Sequence, residues 1–137
     1  MIRLLIVMIV LLFLSSSAFA RAVDEIKVRK TADGYELAIN FNYPFDYIET
    51  SPSSADKVFY VHLQTENFDN LTQQDMDSIQ QDSILSWDES IGLPMSNITF
   101  DGSDDERPQL ILTFSQVVNV NVHNEGDFSQ IIIDVKV

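Results

Sequence analysis

The sequence contains no cysteine and few basic residues. The absence of cysteine excludes disulfides, thiolate metal ligands, a cysteine nucleophile and a lipid anchor on cysteine. The 137 residues include 8 lysine and arginine residues against 21 acidic ones, which gives a formal net charge of −13. Nucleic acid and anionic lipid surfaces are therefore not expected as partners, because phosphate groups bind to basic surfaces.

Residue types that usually carry chemistry are also scarce. With only 4 glycines, the chain has neither a phosphate-cradling glycine loop nor a nucleophile-elbow pattern. His62 and His123 are its only histidines, and neither lies beside a second set of metal ligands. The acidic segment 101–106 lacks the spacing of an EF-hand loop, so we interpret it as a solvated hairpin turn. We predict no catalytic residue, no cofactor and no metal site.

Residues 1–20 have the pattern of an export signal. Arg3 is followed by an unbroken apolar run at residues 4–14, and Ala18-Phe19-Ala20 has the small-x-small form of a cleavage site. Eleven residues span about 16 Å as a helix, which is too short for the roughly 30 Å of a bilayer core. We predict cleavage after Ala20, no stable membrane insertion afterwards and, in a Gram-negative bacterium, a periplasmic location. Residues 21–137 keep 7 basic and 21 acidic residues, a difference of −14.

The rest of the chain alternates apolar and polar residues, as half-buried strands do. The clearest alternating sets are Leu37, Ile39 and Phe41; Leu110, Leu112 and Phe114; and Val118, Val120 and Val122. Residues 58–63 are apolar enough to predict a strand covered on both faces. Asp33-Gly34 and residues 124–127 indicate turns, and Pro44 indicates a bend, because proline lacks the N–H that a strand ladder needs.

The alternating pattern occurs twice, with an offset of 73 residues. At this offset Phe41 matches Phe114, Phe45 matches Val118 and residues 58–60 match residues 131–133. With one residue inserted in a turn, Ile26 matches Ile98. We therefore predict an all-β fold, a small antiparallel β-sandwich built from two similar three-stranded halves at about 24–65 and 96–137, because each half alone exposes an apolar face.

The connector at residues 66–95 has a different composition. Its stretch from Glu66 to Pro94 contains seven acidic residues and no basic one. Thr72 is a candidate N-cap for a short helix that carries Met76 and Ile79 on one side. Trp87 is expected to cover the core rather than to serve as a ligand platform. We thus predict one domain over residues 21–137, with an acidic connecting segment that holds one short helix.

Three stretches, at residues 37–44, 109–114 and 126–135, resemble the AMIN domain, a small periplasmic β-domain. The resemblance covers about residues 26–137 and is closest to the AMIN-like N-terminal domains of repeat-bearing periplasmic proteins with TPR or SPOR-type segments. Asp134 matches an acidic position of the third strand, where the first half has His62.

The resemblance implies a non-catalytic targeting domain that binds a periplasmic protein or peptidoglycan. Two alternatives stay open. One is a periplasmic carbohydrate-active hydrolase that uses a carboxylate pair, for which Asp134 is the only acidic residue in an apolar setting. The other is an inert N-terminal fragment of a longer scaffold protein.

The first strand after the signal is the candidate partner-binding site. Arg21, Lys27, Arg29 and Lys30 are four of the seven basic residues in 21–137. Since Lys27 and Arg29 alternate with Ile26 and Val28, we expect a charged outer face on a solvent-facing edge strand. Such charge can protect an edge from aggregation, or the edge can accept a strand from a partner. We select Lys27, Arg29 and Lys30 as candidate contacts.

Overall fold

The structure is a computed structural model that describes residues 21–124 and 129–137. The export signal at 1–20 and most of the turn at 124–127 lie outside the described residues. These described residues form eight strands and one helix, in the order β1 (Val23–Lys30), β2 (Gly34–Phe41), β3 (Phe45–Ser51), β4 (Asp56–Thr65), α1 (Gln73–Gln80), β5 (Ser83–Ile84), β6 (Met95–Asp101), β7 (Gln109–His123) and β8 (Gln130–Lys136). Short 3-10 turns form at Phe68–Asn70 and Glu89–Ile91.

The strands form two antiparallel sheets that share the long strand β7. Sheet A has the order β1-β2-β8-β7 and uses the end of β7, from Asn119 to His123. Sheet B has the order β3-β4-β7-β6-β5 and uses mainly the beginning of β7, from Gln109 to Phe114. The inner faces of both sheets contribute to one hydrophobic core. The all-β, sandwich-like fold with one short helix is therefore confirmed.

The two halves have the same pairing pattern. Ile39 pairs with Ile26 on one side and Ile131 on the other. Leu112 pairs in the same way with Ile98 and Phe59. Strand β1 thus corresponds to β6, β2 to the beginning of β7, β4 to β8 and β3 to the end of β7. Even the bulges near the starts of β1 and β6 correspond, because the register shifts after Val23 and after Met95.

Each half donates its last strand to the sheet of the other half. Strand β8 pairs with β2, and β4 pairs with the beginning of β7. Neither half can therefore form its sheet alone, which explains why the inward residues of both halves are buried together. Phe45, Phe59 and Phe100 are among the fully buried side chains.

The predicted offset needs a correction of one residue in the last strand of each half. The structure matches Phe59 with Ile131, an offset of 72, where the sequence pattern matched Val58 with Ile131. The extra residue of the first half is taken up by an irregularity in β3 between Tyr47 and Glu49. Ile48 stands at this bulge, and half of its surface is exposed.

The number of strands in the first half is also corrected. Pro44 separates β2 from β3, so the first half has four strands rather than three. The second half keeps three, because β7 continues through Ser115 without a break. The prediction that residues 58–63 are covered on both faces is wrong, since Tyr60 is 40% exposed. Strand β4 lies inside sheet B, but sheet A covers only one face of that sheet.

The helix predicted in the connector is present as α1. Thr72 accepts a hydrogen bond from the Asp75 backbone N–H, and the Asp75 carboxylate accepts one from the Thr72 backbone N–H, which completes a capping box. Ile79 is fully buried, and Met76 is half-buried. Trp87 packs against the core, as expected.

Candidate interaction site at the edge of β1

Strand β1 forms one edge of sheet A. In the described part of the chain it pairs with β2 only. The Thr31 N–H donates to the Gly34 carbonyl oxygen over 2.9 Å, which fixes the hydrogen-bonding phase of the β1–β2 hairpin. Because hydrogen-bonded and non-hydrogen-bonded pairs alternate in an antiparallel ladder, Lys27 and Arg29 bond to β2. The backbone groups of Ile26, Val28 and Lys30 point away from β2, toward the open edge.

The corresponding strand of the second half has a covered edge. Strand β5 pairs with β6 so that Ser83 lies opposite Phe100 and Ile84 opposite Thr99. The Leu85 N–H then donates to the Ile98 carbonyl oxygen over 2.9 Å. Ile98 is the counterpart of Ile26. The molecule therefore contains two equivalent edges, and the connector adds a short antiparallel strand to one of them.

A groove of about 540 Å³ lies beside β1 and is lined by both apolar and charged residues, among them Lys27, Arg29 and Glu36. Ile26 and Val28 line it from β1, and both are only half-buried. Ile91 and Asp88 line it from the connector. The 3-10 turn that carries Ile91 is held in place by the Tyr35 hydroxyl, which donates to the Gly92 carbonyl oxygen over 3.1 Å. Apolar side chains of an added strand would enter this groove.

The charged residues of β1 lie on the outer face of sheet A. Arg29 donates two hydrogen bonds to the Glu36 carboxylate, from Nε over 2.9 Å and from Nη2 over 2.7 Å. These bonds lower the pKa of Glu36 and raise that of Arg29. Lys27 Nζ lies 3.6 Å from a Glu25 carboxylate oxygen, and Lys30 is exposed at the end of the strand. The structure thus brings Lys27 and Arg29 together, each beside a carboxylate.

Glu36 was not recognised from the sequence, although a signal for it exists. The turn at Asp33-Gly34 sets the register that places residue 36 opposite residue 29. Glycine is needed there because a Cβ on Gly34 would lie 2.0 Å from the Val135 carbonyl oxygen of β8. The turn and the alternation together predict the Arg29–Glu36 pair.

The two histidines lie on the outer faces of different sheets. His123 Nε2 is 3.1 Å from an Asp134 carboxylate oxygen on sheet A. His62 Nε2 is 3.3 Å from the Ser51 hydroxyl on sheet B. Within the described ranges, no group of three or more His, Asp or Glu side chains is arranged to hold a metal ion.

Carboxylates of the acidic segment 101–106 accept hydrogen bonds from within the segment and from neighbouring elements. Asp101 accepts hydrogen bonds from the Ser103 hydroxyl and backbone N–H and from the Gln109 amide. These bonds lower the pKa of Asp101. Asp105 accepts a bond from the Gln80 amide, which joins the turn to α1. The turn therefore acts as a structural connection between β6, β7 and the helix.

A carboxylate pair that the sequence did not indicate forms near the end of β4. Asp46 and Glu66 line the same pocket, and interaction with Asp46, together with some burial, raises the pKa of Glu66.

In comparisons with protein-family models, curated proteins and solved structures, nothing matches the chain. Over residues 21–124 and 129–137, no helix is long and apolar enough to cross a membrane.

Proposed function

We propose that this chain is an exported, non-catalytic interaction domain that binds a protein partner of the cell envelope by adding an extended segment to β1. The observation that carries the proposal is the open edge of β1 beside the covered, equivalent edge of β6. Strand addition uses backbone hydrogen bonds for affinity and side-chain pockets for specificity. The open backbone groups of Ile26 and Val28 can form the backbone hydrogen bonds. The groove between β1 and Ile91 can receive the side chains.

Charge supports the same surface. The protein has a strong excess of acidic residues, and β1 is where its basic residues concentrate. Lys27, Arg29 and Lys30 would contact a segment with suitably placed carboxylates, either a protein strand or the peptides of peptidoglycan. The resemblance of residues 37–44 and 109–114 to AMIN domains points to the same class of function.

Site-specific photo-cross-linking in cells tests the proposal. A photoreactive residue at Lys27 or Lys30 should yield partner cross-links that map to an extended segment. The same residue at Tyr60, on the outer face of sheet B, should yield few. Mass measurement of the exported protein should give a chain that begins at Arg21. Equal cross-linking from both faces would contradict docking at the edge, and a chain that retains residues 1–20 would contradict the processing.

The Val28→Pro variant tests the backbone contribution. Val28 occupies a non-hydrogen-bonded position of the β1–β2 ladder, so proline removes an N–H from the open edge only. Cross-linking should fall sharply in Val28→Pro. It should persist in Val28→Ala, the matched control, which keeps the N–H and also loses the valine side chain.

A further inference from the structure

The chemistry of β1 defines the strand that fits it best. Along its outer face the strand carries Glu25, Lys27 and Arg29, and along its inner face the apolar residues Ile26 and Val28. A fitting antiparallel strand therefore needs a carboxylate opposite Arg29, a cation opposite Glu25 and apolar residues opposite Ile26 and Val28. Strand β1 itself, reversed, has this pattern.

We propose that a second copy of this chain occupies the open edge, through antiparallel β1–β1 pairing about a two-fold axis beside Lys27. This inference rests on the proposed function and names its partner. In this register Glu25 lies opposite Arg29 of the second copy, and Ile26 lies opposite Val28. An interface between identical surfaces must be self-complementary, and the acidic beginning and basic end of β1 meet that condition.

The phase of the hydrogen bonds agrees with this register. Ile26 and Val28 both direct their backbone groups to the open edge, so they can form hydrogen-bonded pairs with each other across the axis. At the covered edge of the second half, the equivalent residues of β6 direct their backbone groups to β5 in the same way. Leu85 bonds to Ile98, the counterpart of Ile26, and Leu85 packs against the core. Val28 of the second copy would take the position that Leu85 has on β6.

Neighbouring registers fit less well. A shift that centres the axis on Val28 places Lys27 opposite Arg29, two like charges. A shift that centres it on Ile26 requires regular pairing at Asp24, where the register of β1 is irregular. In the proposed register the only like charges directly opposite each other are the two Lys27 side chains, one from each chain. Each Lys27 Nζ lies 3.6 Å from a Glu25 carboxylate oxygen of its own chain.

The result is a continuous sheet made of both A sheets. On its outer face Arg29 would stand between Glu36 of its own chain and Glu25 of the second copy. The contact involves one strand from each copy, so it is smaller than the roughly 1,200 Å² of standard protein interfaces. We therefore expect a dimer that dissociates on dilution.

Cross-linking provides the sharpest test, because the wild-type chain has no cysteine. Directly opposite residues of a non-hydrogen-bonded pair have Cα atoms about 4.5 Å apart, which suits a disulfide. The Lys27→Cys protein, residues 21–137, should form a disulfide dimer under mild oxidation. The Glu25→Cys protein should not, whereas the combined Glu25→Cys and Arg29→Cys protein should. Dimer formation by Glu25→Cys at the rate of Lys27→Cys would overturn the register.

Sedimentation velocity over a range of concentrations tests the dimer without cross-linking. Val28→Pro should weaken the dimer by at least about tenfold, since each copy loses a backbone donor, and Val28→Ala should weaken it less. Glu25→Lys should also weaken it, although this change lowers the net negative charge and so reduces general repulsion. Glu49→Lys, the same charge change on the exposed face of β3, should leave the dimer unchanged or tighter.

The outcomes separate this inference from the proposed function. A wild-type chain that stays monomeric at all concentrations, together with partner cross-links that Val28→Pro removes, would overturn the dimer and leave docking at β1 intact. A dimer insensitive to Val28→Pro and Glu25→Lys would place the contact elsewhere and would overturn the inference as well.

Discussion

The edges of β1 and β6 occupy equivalent positions in two halves with the same strand pairing and with corresponding bulges at the starts of these strands, but the two edges present different surfaces. The β6 edge is paired with β5, and the outer face of β6 carries half-buried polar residues. The β1 edge has no such strand within the described residues, and its outer face carries exposed charges. Where the same backbone position is covered in one half and open in the other, the open copy is the surface available to a partner.

The outer faces differ in the same way. Each sheet has one row of four side chains that runs across its strands at equivalent positions. On sheet A the row is Arg29, Glu36, Asp134 and His123, and on sheet B it is Asp101, Gln109, His62 and Ser51. In the first row Arg29 pairs with Glu36 and His123 lies beside Asp134, whereas the second row contains a single acidic residue. Charged side chains are therefore concentrated on sheet A, whose edge strand β1 is open.

The largest expected effect tests the equivalence of the two halves. Phe41 and Phe114 are both buried, and each contacts another aromatic ring edge-on, Phe45 for the first and Phe59 for the second. Phe41→Ala and Phe114→Ala should each lower the free energy of unfolding by about 3–5 kcal/mol. Denaturant unfolding measures both. A loss of stability in only one of the two variants would contradict the equivalence of Phe41 and Phe114.

A smaller effect tests the cover on β6. Leu85 is partly buried against the core, whereas the neighbouring Ile84 is 77% exposed. Leu85→Ala should cost about 1–2 kcal/mol of stability, which is less than for a fully buried leucine. Ile84→Ala is the matched control and should change stability by no more than about 0.5 kcal/mol. Equal losses at the two positions would mean that β5 does not anchor the connector through Leu85.

The helix of the connector should respond to the loss of its cap. Thr72→Ala removes the acceptor for the Asp75 N–H and should cost about 1 kcal/mol. The Thr72 backbone N–H, which alanine keeps, is the larger cause of the lowered pKa of Asp75, and the Thr72 side chain adds to it, so this pKa should rise only in part. Chemical denaturation and NMR titration of the carboxyl group measure the two changes. Thr72→Ser keeps the hydroxyl and should behave like the wild type.

The smallest expected effect concerns the charged row on sheet A. Bonds from Arg29 hold the pKa of Glu36 below its ordinary value of about 4.3. A depressed carboxylate pKa stabilises the fold above the ordinary value, and this contribution is lost as the pH falls through the folded-state pKa. For a surface pair it amounts to about 0.2–1 kcal/mol at neutral pH. Glu36→Gln should lose this amount at neutral pH and match the wild type in strong acid.

The equivalent position on sheet B provides the control. Gln109 donates to Asp101, so Gln109→Glu would bring two carboxylates together and should lower stability at neutral pH. Unfolding of both variants between about pH 3 and pH 7 compares the two rows. A Glu36→Gln protein whose stability difference from wild type did not change with pH would show that the ion pair adds nothing.

The part of the fold that the sequence predicted rests on two signals, the alternation of apolar and polar residues and the residues typical of turns and helix caps. The alternating residues of β2 and β7 identify the buried faces, and Thr72 with Asp75 identifies the start of α1. The one-residue error in β4 arose because a bulge at Ile48 changes the count without changing the composition. The candidate site was predicted through its basic residues and edge position, but its groove was not, because Ile91 is 63 residues away from Val28.

The sequence by itself determined which residues face inward and that neither half can bury its apolar face alone. Period-two alternation assigns each side chain to a face, since successive residues of a strand point to opposite sides. It does not assign neighbours. Only the tertiary structure decided that β8 pairs with β2 and β4 with β7, that β5 covers β6, and that Asp46 and Glu66 line one pocket. These pairings arise because the apolar faces of both halves are buried in one common core, and the formation of that core depends on the whole chain.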